Sequence, residues 1–359
     1  MKISRHSTKL VQVGSVAVGN GAAISVQTMT KTDTRDIRAT VAQIRELECI
    51  GCDIVRLAIP DMDAARAFAK IKKQVSIPLI ADIHFDFSLA LETLNGGADG
   101  IRINPGNIGG PDKLRKVVES AKKWSVAIRV GVNSGSIERD ILKKHGGPTS
   151  GALVASALRN VALIEDFGYD QIKISVKASD VPRTIDAYRL LAKKTRYPLH
   201  LGVTEAGTFM AGTVRSSVAM GILLAEGIGD TIRVSLTDSP VKEVMVGLEL
   251  LRSLGLRDPG PSVISCPTCG RIQVNVVSLA SRVEEEMEKY FRNHPRPEMP
   301  IVAVMGCMVN GPGEAKHADI AVAGGEHKFA LYVGGKQVKV VSEASALKAI
   351  MSAVRKWRG

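Results

Sequence analysis

The chain has 359 residues, 45% of them apolar, and a formal charge of +12. That length exceeds what one ordinary core organises and favours two domains, while the short, glycine-broken apolar runs exclude a membrane-spanning helix. The positive balance points to an anionic partner, nucleic acid or a small phosphorylated molecule; aromatic residues, at 4%, offer few stacking platforms and no long Lys/Arg block is present, so the placement of the basic residues decides between the two.

The N-terminal stretch Met1-Lys2-Ile3-Ser4-Arg5-His6 is not followed by the apolar core of a signal peptide, so a cytoplasmic location is expected. A hairpin comes first, from short strands at 11–13 and 15–18, with Asn20-Gly21 as a strong tight-turn pair. One rhythm then repeats. Apolar, β-branched runs at 24–29, 53–59, 78–83, 100–103, 127–132, 171–176, 199–204 and 231–236 alternate with helical stretches. Ile37, Val41, Ile44 and Leu47 mark one helical apolar face, and a last helix fits 241–254. Eight strand–helix units in about 255 residues predict a parallel (β/α)8 TIM barrel. An open doubly wound sheet is the alternative, but it would usually bring a G-x-G-x-x-G or phosphate-loop motif, and neither occurs.

The run Gly255-Leu256-Arg257-Asp258-Pro259-Gly260-Pro261 cannot continue a helix. It predicts a barrel domain over 1–255, a linker over 256–262, and a smaller α/β domain over 263–359. In that second domain Val276, Leu279, Val283 and Met287 line a helix, 301–305 is a buried strand, and Leu347, Ile350, Val354 and Trp357 line a final helix.

Basic residues sit inside the predicted strands: Arg56, Arg102, Arg129, Lys173 and Arg233 each interrupt an apolar run. Strand alternation turns each away from its neighbours' face, so in a barrel they converge inward. One such cation is readily explained by a structural carboxylate partner. Five in parallel, with few strand carboxylates nearby, call for a polyanionic ligand, for which arginine forks are well shaped. Polar groups cluster at the strand ends, where barrel enzymes place their chemistry: Asp82, His84, Asn104, Asn133, Lys177, Thr204, Glu205 and Ser235. Glu205 is a candidate proton donor or acceptor whose burial beside a bound diphosphate would raise its pKa, or else a salt-bridge partner. His84 reads as a structural histidine.

Five cysteines form a poor disulfide framework. Cys266 and Cys269 form a Cys-x-x-Cys turn ended by Gly270, and Cys307 lies just past a strand. This spacing admits an iron–sulfur cluster with one open iron, a structural zinc with His317 as fourth ligand, or a redox dithiol. Cys49 and Cys52 read as buried small apolar residues.

Several segments together resemble the 4-hydroxy-3-methylbut-2-enyl diphosphate synthase family: Val-Gln-Thr-Met-Thr (26–30), Ala-Asp-Ile-His-Phe-Asp (81–86), Ile-Arg-Ile-Asn-Pro-Gly-Asn-Ile-Gly (101–109), Ser-Val-Lys-Ala-Ser-Asp (175–180), Leu-Gly-Val-Thr-Glu-Ala-Gly (201–207), Gly-Ile-Gly-Asp-Thr-Ile-Arg-Val-Ser-Leu (227–236), Cys-Pro-Thr-Cys-Gly-Arg (266–271) and Gly-Cys-Met-Val-Asn-Gly-Pro-Gly-Glu-Ala (306–315). The resemblance runs from about residue 8 to the C-terminus. It implies reductive ring opening of 2-C-methyl-D-erythritol 2,4-cyclodiphosphate in isoprenoid biosynthesis, with electrons from flavodoxin or ferredoxin. It also implies a [4Fe-4S] cluster held by Cys266, Cys269 and Cys307, with Glu314 as resting fourth ligand. Arg56, Arg102, Arg129, Asn133, Lys177, Thr204, Arg233 and Ser235 would bind substrate, Asn310 would meet it from the cluster side, and Glu205 would serve proton transfer. Lys173 has no counterpart carried over by the resemblance. The family is a homodimer pairing the barrel of one subunit with the cluster domain of the other. Relatives with a large extra domain between barrel and cluster domain differ from this chain, which passes straight from barrel to linker and so resembles the two-domain bacterial form. Without the resemblance, two other readings stand: a phosphate-ester barrel enzyme with a structural zinc domain, and a non-catalytic metal-cluster sensor.

Overall fold

A computed structural model of the chain describes residues 3–257, 260, 262–294, 299–309, 313 and 317–358. The chain divides into two compact units, Met1–Arg257 and Asp258–Gly359.

The first unit opens on a hairpin of β1 (Val11–Val13) and β2 (Val16–Val18), paired antiparallel. Its turn is Gly14-Ser15, with Gly14 at φ +56°; Asn20 and Gly21, at φ +50° and +78°, form a second turn that leads onward. Eight strand–helix units follow: β3 (Ser25–Met29) with α1 (Ile37–Cys49), β4 (Ile54–Ala58) with α2 (Met62–Lys72), β5 (Leu79–Asp82) with α3 (Phe87–Asn95), and β6 (Gly100–Ile103) with α4 (Pro111–Trp124). Then come β7 (Ala127–Asn133) with α5 (Arg139–His145) and α6 (Ser150–Glu165), β8 (Ile172–Lys177) with α7 (Val181–Ala192), β9 (His200–Leu201) with α8 (Phe209–Ala225), and β10 (Thr231–Ile232) with α9 (Pro240–Ser253). Among the described residues these eight strands are ordered β8-β7-β6-β5-β4-β3-β10-β9, and a parallel bridge between Ile174 and Leu199 closes β9 onto β8. The fold is a parallel (β/α)8 barrel.

Helix starts are fixed locally. Asp36, Asp61, Asp86 and Asp180 cap α1, α2, α3 and α7, each carboxylate accepting from a backbone N–H of the first turn. Outward strand residues such as Val55, Leu57, Val130 and Val176 join the apolar layer under the helices. Inward residues at the N-terminal end of the barrel, Ile54, Ile80 and Ala127, are sealed by Val11, Val13 and Val18 of the hairpin. The barrel is therefore floored by apolar packing, and its polar groups lie above.

Two strands are shorter than the apolar runs 199–204 and 231–236 suggest. The ladder lapses after Leu201 and Ile232, although Arg233 N–H still reaches the Leu201 carbonyl (3.0 Å) and Thr204 N–H the Ala178 carbonyl (3.2 Å). At Gly202 a Cβ would meet the Arg233 carbonyl and Lys177 Nζ at 2.7 Å each, so glycine allows these segments to close in on the barrel axis.

In the second unit β11 (Ser262–Ser265), α10 (Val276–Asn293), β12 (Ile301–Met305), β13 (Ile320–Gly325), β14 (Lys328–Val333), β15 (Lys336–Ser342) and α11 (Glu343–Lys356) follow in order. The sheet runs β11-β12-β13-β14-β15, parallel over the first three strands and antiparallel over the last three. One face packs Val283, Met287, Val302, Val322, Ile350 and Val354 together with both helices. The other face is lined by small residues, among them Ala303, Ala321, Ala323 and Ala330. Among the described residues no helix of the chain is long and apolar enough to cross a membrane.

Candidate active site

Above the floor, the C-terminal ends of the barrel strands enclose a cavity of about 200 Å³ lined by Arg56, Asp82, His84, Arg102, Arg129, Asn133, Ser175, Lys177, Thr204, Arg233 and Ser235. All eight barrel residues proposed as substrate ligands from the sequence therefore share one cavity. Asp82, His84 and Ser175 line it as well and were not among them. Asp82 and His84 had been noted as strand-end groups, and Ser175 lies two residues before Lys177, where strand alternation alone puts it on the inward face.

The cations are buried. Arg129 is 1% exposed, Lys173 0%, Lys177 6%, Arg102 7% and Arg56 8%. Among the described residues two carboxylates reach the cavity's guanidiniums. Asp82 lies 3.7 Å from Arg56 and 3.3 Å from Arg102, and Glu243 of α9 lies 3.8 Å from Arg233. Burial works to raise the Asp82 pKa, but Arg56, a hydrogen bond from His84, Arg102 and Arg129 outweigh it and hold the carboxyl well below its usual range. Glu243 is fixed by Thr28 Oγ1 and Leu236 N–H, at 2.7 and 2.9 Å. Arg56 also donates to Met29 Sδ at 3.2 Å.

The positive charge is left in excess. Nε and Nη2 of Arg129, Nε of Arg56, Nε of Arg233 and Nζ of Lys173 are buried without a hydrogen-bond partner. Burial, then the like charges of Arg56 and Arg102, push the Arg129 pKa well below its ordinary value; burial, then Arg129 and Arg233, do the same to Lys177. Burial and Arg56 bring Arg233 down to about 10. Unpaired buried donors of one sign cost several kcal/mol together, and a bound polyanion satisfies them at once.

Glu205 is placed differently from the expectation. It follows Thr204 in the left-handed region at φ +52° and is exposed, where burial was expected. Left-handed backbone is costly for a glutamate and recurs at functional turns. His84 is also exposed, with its ring nitrogens 3.0 and 3.2 Å from Arg102 Nη1, so it belongs to the cavity rim rather than to the core.

In the second unit the Cys266 N–H donates to the Val304 carbonyl (3.2 Å), and the Gly306 N–H donates to Cys266 Sγ (3.3 Å). Cys266 and Cys307 thus stand just past the ends of neighbouring parallel strands, β11 and β12. A Cβ at Gly306 would lie 2.7–2.8 Å from Ile272 and Val276 side-chain atoms, so glycine permits this close approach. Cys269 is exposed beyond Thr268, whose φ is +66°. Thiols at the ends of adjacent strands, one of them accepting a backbone N–H···S bond, suit in kind a thiolate-held iron–sulfur cluster. Among the described residues, however, no three His, Cys, Asp or Glu side chains are gathered closely enough to hold a metal ion. Asn310 and Glu314 lie outside the described residues. The other Cys-x-x-Cys is not uniformly buried. Cys49 is exposed, while Cys52 is buried, donates to the Ile54 carbonyl (3.3 Å) and has its thiol pushed up to about 12 by burial, so it is inert.

Residues 8–248 match the GcpE TIM-barrel domain, and residues 262–356 match the GcpE protein C-terminal domain. The chain is 56% identical over 357 residues to the 4-hydroxy-3-methylbut-2-en-1-yl diphosphate synthase (flavodoxin) of Desulfotalea psychrophila, covering 98% of this chain and 96% of that one. Its identity to the enzyme of the same name from Geobacter sulfurreducens is 53%, covering 98% of each chain. Among solved structures, dihydropteroate synthase from Xanthomonas albilineans superposes with a TM-score of 0.50 at 14% identity, covering 68% of this chain and 97% of that one, a likeness of barrel fold alone. With both halves of the chain matched and relatives similar over nearly their whole length, the chain belongs to the GcpE family.

Proposed function

We propose that the chain is an oxidoreductase that opens and dehydroxylates 2-C-methyl-D-erythritol 2,4-cyclodiphosphate to 4-hydroxy-3-methylbut-2-enyl diphosphate, a step of isoprenoid biosynthesis. The observation that carries this reading is the barrel cavity, where four arginines and a lysine converge and two carboxylates reach the guanidiniums. The names of its relatives support the same reaction and flavodoxin, rather than ferredoxin, as electron donor. Neither of the other two readings, a zinc-bearing phosphate-ester enzyme or a metal-cluster sensor, has support among them.

In this reading residues 1–255 form the substrate domain, 256–262 the linker and 263–359 the cluster domain. Arg56, Arg102, Arg129 and Arg233 grip the diphosphate oxygens, the first three from largely buried positions. Lys177, Asn133, Thr204 and Ser235 complete the donor set and fix the orientation of the ring. Asp82 bridges the Arg56 and Arg102 forks while staying ionised. Glu205, exposed next to Thr204, is the proposed proton carrier at the rim. Cys266, Cys269 and Cys307, with Glu314, would hold a [4Fe-4S] cluster, which supplies the one-electron chemistry that no side chain can. Asn310 is assigned to the substrate's cluster side.

Among the described residues no thiol lines the barrel cavity, and Cys266, Cys269 and Cys307 belong to a separate compact unit, so the two half-sites must be joined. We assign that joining to a homodimer, the barrel of one subunit meeting the cluster domain of its partner. An exposed apolar row on α8, formed by Met210, Val214, Val218 and Ile222, supports self-association. A cytoplasmic location follows from the need for reduced flavodoxin.

The test is anaerobic purification with iron and sulfide analysis, followed by turnover of the cyclodiphosphate with reduced flavodoxin. Four irons per chain and formation of the linear diphosphate are expected. Zinc as the sole bound metal would sink the proposal.

A further inference from the structure

One step below the cavity the barrel interior is built unequally. On β4, β5, β6 and β7 the inward residue preceding each cavity residue is apolar or glycine: Ile54, Ile80, Gly100 and Ala127. On the contiguous strands β8, β9, β10 and β3 the lower inward residue is polar: Lys173, His200, Thr231 and Gln27. These four side chains are at most 1% exposed. Lys173 Nζ, His200 Nε2 and both amide atoms of Gln27 have no hydrogen-bond partner.

Lys173 is the register partner of Arg129 and lies two residues below Ser175, hence about 7 Å deeper along β8. Its side chain does not line the cavity. It shares the barrel interior with the charged and titratable groups Arg56 of β4, Asp82 of β5, Arg102 of β6, Arg129 of β7, Lys177 of its own strand, His200 of β9 and Arg233 after β10. Behind the strand, Tyr188 of α7 donates to the His200 carbonyl at 2.5 Å and stays protonated.

Building on the proposed reading of the cavity, we propose that Lys173 is a buried proton site coupled to substrate binding. An anion enters the cavity together with one proton, which solvent delivers to Nζ and takes back when the anion leaves. Lys173 acts through the field and is a positioning residue. The free cavity repels its charge, whereas a polyanion among the four guanidiniums removes that repulsion. Burial, then Arg129, then Arg56 lower its pKa to about 7 before any anion is present, so the site is poised where a change of field alters its protonation. His200 is pushed to its neutral form by burial and by Lys177, Arg129 and Lys173, and its Nδ1 rests 3.4 Å from Thr231 Oγ1. Lys177 lines the cavity and meets the anion directly, so its protonation is a separate contribution.

Sulfate is the probe, because it does not titrate in the range of interest. Calorimetry of sulfate binding to the full-length protein, in buffers of different ionisation enthalpy, counts protons taken up. At about pH 8 the wild type is expected to take up nearly one proton more than Lys173→Met, and above about pH 7 its affinity is expected to fall more steeply, by up to about tenfold per pH unit. Lys173→Met removes an unpartnered buried amine and is expected to fold with a Tm at or above that of the wild type. The sign is fixed by linkage. The folded lysine titrates near 7 and the unfolded one near 10.5, so between these values the unfolded chain binds more protons and wild-type stability rises with pH. The Tm advantage of Lys173→Met is therefore greatest below pH 7 and shrinks toward 10.5. Equal proton uptake in wild type and variant overturns the proposal while leaving the anion cavity standing. Absence of sulfate binding in both overturns the cavity reading and this proposal with it. Failure of both Lys173→Met and Lys173→Gln to fold also overturns it, since that requires a partner for Nζ that this tier lacks.

Discussion

Arg102 shows how tightly the cavity is specified at single residues. Its guanidinium lies between Asp82 (3.3 Å) and the Gly131 carbonyl (3.4 Å), and a Cβ on Gly131 would come within 2.7 Å of its Nε. Gly131 has ordinary backbone angles, so the space taken by the arginine is the reason for glycine there. Gly131→Ala is expected to leave the fold intact and push the Arg102 fork aside. Anion affinity should then fall about ten- to a hundredfold, the scale of one charge-assisted hydrogen bond pair. Sulfate calorimetry on a variant with an unchanged circular dichroism spectrum checks this; undiminished affinity would show that Arg102 holds no anion. The cations themselves were legible in the sequence because a basic residue in a β-branched run breaks the strand's apolar pattern. Asp82 was legible as a strand-end polar group, whereas Gly131 and Ser175 were harder to read, since a glycine and a serine near a strand end say little until the inward direction of their strand is known. Glu205 was read with the wrong surroundings, because exposure and a positive φ are properties of its turn.

At the scale of elements, the barrel interior depends on the small hairpin ahead of it. β1 and β2 present Val11, Val13 and Val18, all 0% exposed, to Ile54, Ile80 and Ala127. This plug closes the end of the barrel opposite the cavity and keeps water from the unpaired donors above. Val13→Ala is expected to cost about 1–3 kcal/mol, the methyl groups lost plus the cavity they leave. Urea unfolding followed by circular dichroism measures it, and a change below a few tenths of a kcal/mol would mean that the hairpin is not packed as the floor. The β–α alternation was readable because each strand's outward side chains are large and branched. The meander of β13, β14 and β15 was not. Its helix-packed face carries Val322, Phe329 and Leu331 and its other face Ala321, Ala323 and Ala330, so polar and apolar residues do not alternate, and β15 is exposed along almost its whole length. A signal was nonetheless present in Gly334-Gly335, both at positive φ, which make the two-residue turn between β14 and β15.

Across the whole molecule, the two units carry separate cores and separate chemistry. The barrel core draws on residues between Ile24 and Leu251, and the second core on residues between Val274 and Val354. Cations gather in the first unit and the Cys266, Cys269 and Cys307 thiols in the second, so anion binding and iron binding ought to be separable by mutation. Gly306→Ala tests this without touching a thiol. Its Cβ would press on Ile272 and Val276, forcing the β12 end away from Cys266 Sγ, now 3.3 Å from the Gly306 N–H. Iron content after anaerobic reconstitution is expected to drop well below that of the wild type, as it should for Cys266→Ser and Cys307→Ser. Sulfate affinity of the same three variants is expected to stay within about twofold of the wild type, because the guanidiniums proposed to bind it lie inside the barrel unit, Arg56 and Arg102 beside Asp82 and Arg233 beside Glu243. Full iron loading in Gly306→Ala would show that the approach of β11 and β12 does not build the cluster site. Loss of sulfate binding in the cysteine variants would show that the barrel cavity depends on the second unit and that the two half-sites are one.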